Sequence, residues 1–138
     1  MLWNDTLKTG MPKIDEQHKE LFRQIDILLD RDQADRIPAT IQFLANYVVK
    51  HFIDEQTLQT SVRYPKAEQH KKLHADFTAR FKDLKKRFEA SGDNIKFDMV
   101  TEINRVVLGW LKEHILVHDK EFADYYKKFQ QARRVKAG

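Results

Sequence analysis

The sequence predicts an all-α protein, an up-down-up-down four-helix bundle with an N-terminal leader and a short C-terminal helical tail. Apolar residues recur every three or four positions in four long segments, which is the period of an amphipathic helix. The breaks between these segments are short, and short connections favour antiparallel neighbours in a bundle. Of the 138 residues only 4 are glycine and 3 are proline, which argues against a turn-rich β architecture.

The four helical segments are placed by their apolar positions and by the stretches that interrupt them. Segment A covers about 16–31 and is followed by the polar stretch "DRDQADRIP". Segment B covers about 38–61, and Pro38 suits a first helical turn. Segment C covers about 65–90 after "VRYP", and segment D covers about 94–118 after "ASGDN". The apolar positions, in chain order and including the aromatic tail, are Leu21, Phe22, Ile25, Leu28, Leu29, Ile41, Leu44, Ala45, Val48, Phe52, Leu58, Leu73, Phe77, Phe81, Leu84, Phe88, Met99, Val100, Ile103, Val106, Val107, Trp110, Leu111, Phe122, Tyr125, Tyr126 and Phe129.

The length and composition predict a single domain, with a leader at 1–15, the bundle at about 16–118 and the tail at about 119–138. The absence of cysteine excludes disulfides and thiolate metal sites. No stretch approaches the roughly 18 apolar residues of a membrane span, and the N-terminus has no apolar signal region, so we expect a cytoplasmic protein with no membrane contact. The basic end "KKFQQARRVKAG" is expected to be a solvated, frayed tail and not a nucleic-acid site.

Polar residues occupy inward positions of all four predicted helices. They continue the apolar stripes at helical spacing. His18 lies on the same predicted face as Leu21, and His114 lies one turn after Trp110. A single inward histidine is more often a hydrogen-bonded core residue than a metal ligand, yet every buried polar group needs a partner. The inward polar residues are His18, His51, Glu55, His70, His74 and His114.

These six residues are predicted to meet at one end of the bundle. Those of segments A and C lie near the helix starts, and those of segments B and D lie near the helix ends. Because neighbouring helices alternate in direction, all six fall within roughly three turns of one end, at ~1.5 Å per residue. Such a layer indicates a metal site built between helices.

The residue types limit the choice of metal. Five imidazoles with few carboxylates suit zinc, copper, iron or nickel, and do not suit magnesium or calcium. Five histidines and a glutamate are too many for one tetrahedral zinc ion, which favours two metal ions. Neither Glu-x-x-His nor His-Glu-x-x-His occurs, which argues against a ferritin-type di-iron site and a zinc protease.

Four motifs with their ligand types, order and spacing resemble those of the bacteriohemerythrins, a family of non-haem di-iron oxygen-binding proteins. The resemblance extends from Trp3 in the leader to about Tyr126, nearly the whole chain. The motifs are "IDEQHKELF" with His18, "HFIDEQ" with His51 and Glu55, "YPKAEQHKKLHADF" with His70 and His74, and "WLKEHILVHDKEF" with His114 and Asp119.

The resemblance implies two iron ions per chain, joined by two carboxylates and by an oxo or hydroxo bridge. Three histidines hold one iron, two hold the other, and both irons share the carboxylates. In that order the implied ligands are His70, His74 and His114, then His18 and His51, then Glu55 and Asp119. Six ligands saturate the first iron, whereas the second keeps one open position for oxygen. Leu21, Phe52, Trp110 and Leu111 are candidate walls of an apolar oxygen pocket that slows the entry of water.

The assignment of Asp119 conflicts with ideal helix geometry. On an ideal α-helix Asp119, five positions after His114, is rotated by about 140° away from the face of His114. His118, four positions after His114, lies nearer to that face. The family pattern nevertheless selects Asp119, because five imidazoles need anionic bridges to balance two metal ions. A π-bulge near Leu116 to Asp119 would restore the alignment, and His118 is then expected to be a helix-end residue.

Two glutamines depart from the family pattern, which often has a glutamate and then a methionine at these positions. Gln56 is expected to lie outside the inward stripe and to leave the site unaffected. Gln59, one turn after Glu55, is expected to change the polarity at the mouth of the site and thereby the lifetime of the oxygen adduct.

Three functions remain open from the sequence. The first is reversible binding of molecular oxygen for storage, delivery or sensing. The alternative is a di-iron redox enzyme that reduces peroxide, oxygen or nitric oxide. The third is a dinuclear zinc or structural site. The sequence gives no oligomeric state.

Overall fold

Helices make up most of the part of the chain that the computed structural model describes, residues 2–91 and 96–137. No strand occurs within these ranges, so the predicted all-α class is confirmed. The helices are α1 (Pro12–Leu29), α2 (Ile37–Ser61), α3 (Ala67–Ala90), α4 (Lys96–Glu113) and α5 (Lys120–Ala137), with short 3₁₀ turns at Asp5–Leu7 and Arg31–Arg36.

The first four helices form a closed four-helix bundle. Helix α1 contacts α2 and α4, and α3 contacts the same two neighbours. The connections between α1 and α2 and between α2 and α3 are short, which keeps consecutive helices antiparallel. The predicted up-down-up-down architecture is therefore confirmed. The predicted break between the third and fourth segments, "ASGDN" at 90–94, lies outside the described ranges from residue 92 onward.

Helix α1 begins at Pro12, about four residues earlier than the sequence pattern predicted. Proline is favoured at a first helical position because its missing N–H would be unpaired there in any case. The buried Asp15 carboxylate accepts hydrogen bonds from the backbone N–H groups of Thr9 (2.8 Å) and Gly10 (3.1 Å), which ties the leader to the helix. Gly10 has φ +86°, a conformation that glycine adopts without strain.

A π-helical segment, His114–Asp119, joins α4 to α5 without a break. The expected π-bulge near residues 116–119 is thus confirmed. The predicted tail is helical, and α5 extends the fourth helix of the bundle for 18 residues. One of its tyrosines, Tyr125, donates a hydrogen bond from its hydroxyl to the Val62 carbonyl (2.7 Å) and so holds the α2–α3 turn.

Two apolar clusters stabilise this arrangement. The larger one runs through α1 to α4 and the π segment, and it consists of Leu7, Leu21, Phe22, Ile25, Leu28, Ile41, Leu44, Val48, Phe52, Phe77, Phe81, Leu84, Phe88, Val100, Ile103, Val107, Leu111 and Ile115. The smaller one joins the start of α1, the α2–α3 turn and α5, and it consists of Met11, Ile14, Val62, Tyr64, Phe122 and Ala123. Leu29, predicted among the apolar positions, is 45% exposed because α1 ends there. No helix of the described part is long and apolar enough to cross a membrane.

Candidate metal centre

The seven candidate ligands of the four motifs are all buried, and they converge from four directions at one end of the bundle. Helix α1 supplies one imidazole, α2 an imidazole and a carboxylate, α3 two imidazoles, and the π segment an imidazole and a carboxylate. In the same order they are His18, His51, Glu55, His70, His74, His114 and Asp119. Because residues four apart share a helix face, His51 with Glu55 and His70 with His74 reach the same layer.

The side chains form two groups, and in each group one potential ligand atom from every residue lies within 4.8 Å of those of the others. The first, which we call the three-histidine group, contains His70, His74 and His114 with Glu55 and Asp119. The two-histidine group contains His18 and His51 with the same two carboxylates. The groups therefore touch through two shared acidic residues.

Each shared carboxylate directs one oxygen to each group. Oε1 of Glu55 lies 2.6 Å from Nε2 of His70, whereas its Oε2 lies 3.3 Å from Nε2 of His51. Oδ1 of Asp119 lies 3.0 Å from Nε2 of His70, whereas its Oδ2 lies 3.1 Å from Nε2 of His18. This division of oxygens is the arrangement that a carboxylate adopts when it bridges two cations.

The imidazole nitrogens also point at one another. Nε2 of His114 lies 2.9 Å from Nε2 of His70 and 3.0 Å from Nε2 of His74. In the two-histidine group, Nε2 of His18 lies 3.1 Å from Nε2 of His51. Nε2 of His114 carries either one hydrogen or one lone pair, so it can form a normal hydrogen bond with only one of its two neighbours. A cation placed between the nitrogens could be bound by all of them.

Several buried atoms of the centre have no hydrogen-bond partner. Both oxygens of Asp119 and Oε2 of Glu55 lie near imidazole nitrogens, but none of the three forms a hydrogen bond of acceptable geometry. Unsatisfied buried carboxylate oxygens are costly and call for a cationic partner. Borderline imidazole donors and two carboxylates fit iron or zinc and do not fit calcium or magnesium. The residues present therefore fit a non-haem iron site.

Burial and neighbouring charges shift the pKa values within the three-histidine group in opposite directions. Burial, reinforced by the charges of His114 and His70, lowers the pKa of His74 to about 2. Burial acts against protonation of His70 as well, but its contacts with Asp119 and Glu55 outweigh burial and raise the pKa of His70 to about 9. Burial alone would raise the pKa of Asp119, yet His114, His18 and His70 hold it well below its usual range.

We expect the stability of the metal-free protein to be greatest near pH 6.5. His74 has a lower pKa folded than unfolded, so its contribution is present above pH 6.5 and falls by ~1.4 kcal/mol per unit as the pH drops below that value. His70 has a higher pKa folded, so its contribution is present below pH 6.5 and is lost as the pH rises toward 9. Urea unfolding at pH 5, 6.5 and 8 measures both slopes. Over each interval of ~1.5 pH units, the free energy of unfolding should change by ~2 kcal/mol.

The control for this pH dependence is His74→Leu, which should flatten the acid side of the profile and leave the alkaline side in place. A wild-type free energy of unfolding that increases steadily from pH 5 to pH 8 would contradict the assignment of the two imidazoles.

The π segment decides which of two neighbouring residues enters the centre. Asp119 is fully buried and belongs to both groups, whereas His118 is half-buried and belongs to neither. The ring of His118 lies 5.5 Å from that of His114 and 6.2 Å from that of His70, edge-on or tilted to both. The extra residue in the π turn compensates for the 140° rotation of an α-helix and turns Asp119 inward.

Two of the four candidate wall residues contact imidazoles of the centre, and the other two are buried in the larger apolar cluster. Phe52 stacks on His74 with ring centroids 3.8 Å apart, and Trp110 stacks on His114 at 4.3 Å. Leu21 and Leu111 are buried in the larger apolar cluster, and Trp110 is half-buried against it. The two aromatic rings thus cover the three-histidine group, although Phe52 also lies 5.8 Å from the ring of His51.

Three glutamines surround the ligand cluster, and the sequence analysis missed the role of two of them. The expectation that Gln56 lies clear of the site is wrong, because its Nε2 lies 3.0 Å from Nδ1 of His74. Gln59 is fully buried, with Nε2 3.4 Å from Oε1 of Glu55 and with no partner for its Oε1. Gln17 was not considered, although it is buried and its Oε1 lies 2.7 Å from Nδ1 of His51. Gln17 lies one turn before the inward residue Leu21. The same spacing to an apolar stripe identified the inward histidines, so it could also have identified Gln17.

A helical bundle that gathers buried imidazoles and shared carboxylates at one end defines a metal-binding protein of the histidine–carboxylate class. The Hemerythrin HHE cation binding domain matches residues 9–126 of this chain. The chain therefore belongs to the hemerythrin family, which supports a non-haem iron, oxygen-binding protein.

Named relatives agree with this membership over most of the chain. A bacteriohemerythrin of Pseudomonas paraeruginosa is 32% identical over 127 residues, which cover 90% of this chain and 80% of that protein. A bacteriohemerythrin of Clostridium acetobutylicum is 31% identical over 130 residues, covering 89% of this chain and 98% of that protein. A myohemerythrin of Theromyzon tessulatum is 34% identical over 113 residues, covering 82% of each.

Proposed function

We propose that this chain holds two iron ions and binds molecular oxygen reversibly at one of them, for storage, delivery or sensing. The three-histidine group would hold one iron and the two-histidine group the other, with Glu55, Asp119 and an oxo or hydroxo group as bridges. The observation that carries this proposal is the division of both carboxylates, each with one oxygen toward each group.

The unequal number of imidazoles supports a single ligand-binding position. Three imidazoles, two carboxylate oxygens and a bridge make six donors, which complete an octahedron. Two imidazoles with the same carboxylates and bridge make five, so the iron between His18 and His51 would keep one position open. When bound, the iron pair would supply this position and the electrons that oxygen binding needs.

The protein side chains would supply orientation and exclusion of water. His18 and His51 are at most 1% exposed, and Leu21, one turn from His18, is equally buried. Phe52 and Trp110 stack on the rings of His74 and His114, and this packing opposes rotation of the two imidazoles away from the centre. Apolar walls around a metal site limit solvent access and slow the loss of the bound ligand.

A second candidate function, reductive chemistry on peroxide, oxygen or nitric oxide, is favoured by one observation. Gln59 places a buried amide with an unpaired oxygen next to Glu55. A polar group inside the wall can hold a water molecule, and water admitted to the site shortens the lifetime of an oxygen adduct.

Mixing the ferrous protein with oxygen in a stopped-flow spectrometer separates the two functions. We expect a coloured adduct that persists for many minutes and disappears when oxygen is removed, because the walls exclude water. Rapid bleaching with continuous consumption of an added reductant would instead support the enzyme. Gln59→Met is the matched variant and should lengthen the lifetime if the buried amide limits it.

Metal analysis addresses the remaining possibility of a zinc or structural site. Protein produced without oxygen and purified without added metal should contain iron in both positions. Zinc in both positions, with no iron uptake on reconstitution, would overturn the iron assignment and leave the fold unaffected.

A further inference from the structure

We propose that Asp54 and Gln17 act as positioning residues for His51. They fix the hydrogen of its imidazole on Nδ1 and so make Nε2 a stronger metal ligand. The three side chains form a continuous line from the surface of α2, through α1, into the two-histidine group. The effect on metal binding rests on the proposed function, whereas the position of the hydrogen does not.

The first step is the orientation of the Gln17 amide. Nε2 of Gln17 lies 2.8 Å from Oδ2 of Asp54. An ionised carboxylate only accepts hydrogen bonds, so the NH₂ group of Gln17 must face Asp54. The amide oxygen is therefore forced to the opposite side, where it lies 2.7 Å from Nδ1 of His51.

The second step is the state of His51. An amide oxygen only accepts hydrogen bonds, so Nδ1 of His51 must carry the hydrogen that it donates to Gln17. Its Nε2 is then the nitrogen available to a metal, and it lies 3.1 Å from Nε2 of His18 and 3.3 Å from Oε2 of Glu55. His51 is 1% exposed and Gln17 7% exposed, so water does not compete for these bonds.

Two other imidazoles of the centre lack this support within the residues that the structure describes. Nδ1 of His18 is buried without a hydrogen-bond partner. Nδ1 of His74 faces Gln56, and no carboxylate orients that amide. Of the two imidazoles in the two-histidine group, His51 alone has its hydrogen fixed by a charged residue.

The chemical consequence concerns the iron that keeps the open position. A ligating imidazole that donates its other N–H to a polarised acceptor becomes a more basic ligand. The carboxylate of Asp54 polarises the Gln17 amide, and Lys13 neutralises this carboxylate little, since its ammonium lies 3.8 Å away and is 74% exposed. The hydrogen bonds from His51 to Gln17 and from Gln17 to Asp54 therefore make His51 a more electron-rich ligand, although no third carboxylate enters the two-histidine group.

Nitrogen-15 NMR of the metal-free protein tests the position of the hydrogen directly. We expect a hydrogen on Nδ1 of His51 in the wild type, protected from exchange with solvent, because its acceptor is buried. Gln17→Leu removes the acceptor and should accelerate this exchange at least ~10-fold, whereas Gln17→Glu keeps an acceptor and should retain the protection. A bare Nδ1 in the wild type, or exchange as fast as in Gln17→Leu, would overturn the proposal.

Iron release to a chelator tests the consequence for the metal. Asp54→Asn no longer dictates the amide orientation, and we expect it to weaken the iron of the two-histidine group by ~10–100-fold while the other iron stays. Asp124→Asn removes an exposed carboxylate of α5 and is the control for charge alone. Equal release from Asp54→Asn and Asp124→Asn would overturn this step. If the wild type holds no iron, the proposed function fails, and the NMR result still decides the role of Gln17.

Discussion

Replacing Asp119 with asparagine is expected to leave the protein with little iron, while replacing His118 with alanine is expected to leave its iron content unchanged. Asparagine keeps the size of the side chain but removes the charge and one of two oxygens. Each oxygen of Asp119 faces a different group, so one position loses its oxygen ligand and the other keeps only a neutral amide oxygen. Loss of an outer hydrogen-bond partner of a metal site lowers the metal affinity by ~10–100-fold. Because Asp119 is a candidate ligand itself, we expect Asp119→Asn to lower the affinity for iron by more than ~100-fold.

His118 is the matched control because it is adjacent in sequence and equally able to bind a metal in principle. It is half-buried and belongs to neither ligand group. Iron content by plasma emission spectroscopy, together with helicity by circular dichroism, measures both variants after identical reconstitution. Loss of half the iron in His118→Ala, with full iron in Asp119→Asn, would reverse the assignment of the bridge.

Removing the metal is expected to lower the stability of the wild-type protein by ~4 kcal/mol when free iron exceeds the dissociation constant about 1,000-fold. In the structure, imidazole nitrogens approach one another to 2.9–3.1 Å and three carboxylate oxygens are buried without a hydrogen-bond partner. A bound cation relieves both costs in the folded state alone. For a chain of this size the melting temperature should fall by roughly 8–16 °C.

Calorimetry of loaded, metal-free and reloaded protein measures this difference. Reloading should restore the melting temperature, and His118→Ala should show the full increment. Asp119→Asn should show little difference between samples with and without iron, because it no longer retains the metal. An unchanged melting temperature on removal of bound iron from the wild type would show that the centre contributes nothing to folding stability.

The helical period made most of the fold predictable. Apolar residues at a spacing of three and four identified the four helices within a few residues of their observed ends, because burial of one face selects that period. The ends were less predictable. Helix α1 begins at Pro12, and the bonds from Thr9 and Gly10 to Asp15 that hold its start depend on a leader conformation that no periodicity encodes.

The candidate ligands were predictable for a related reason. An imidazole on an inward stripe is costly unless it is paired, and alternating helix directions bring such residues to one end. Asp119 needed more than spacing, because an ideal α-helix would turn His118 inward in its place. The π segment that corrects this depends on packing around residues 114–119.

By itself the sequence determined the all-helical bundle, the layer of inward histidines and the family to which they point. These features follow from periodicity along single helices, where each residue's face is set by its own position in the chain. Only the tertiary structure decided which oxygen of each carboxylate faces which histidines, and that Gln17 connects Asp54 to His51. Those contacts join side chains of different helices, and their distances depend on how the helices pack, which no local pattern records.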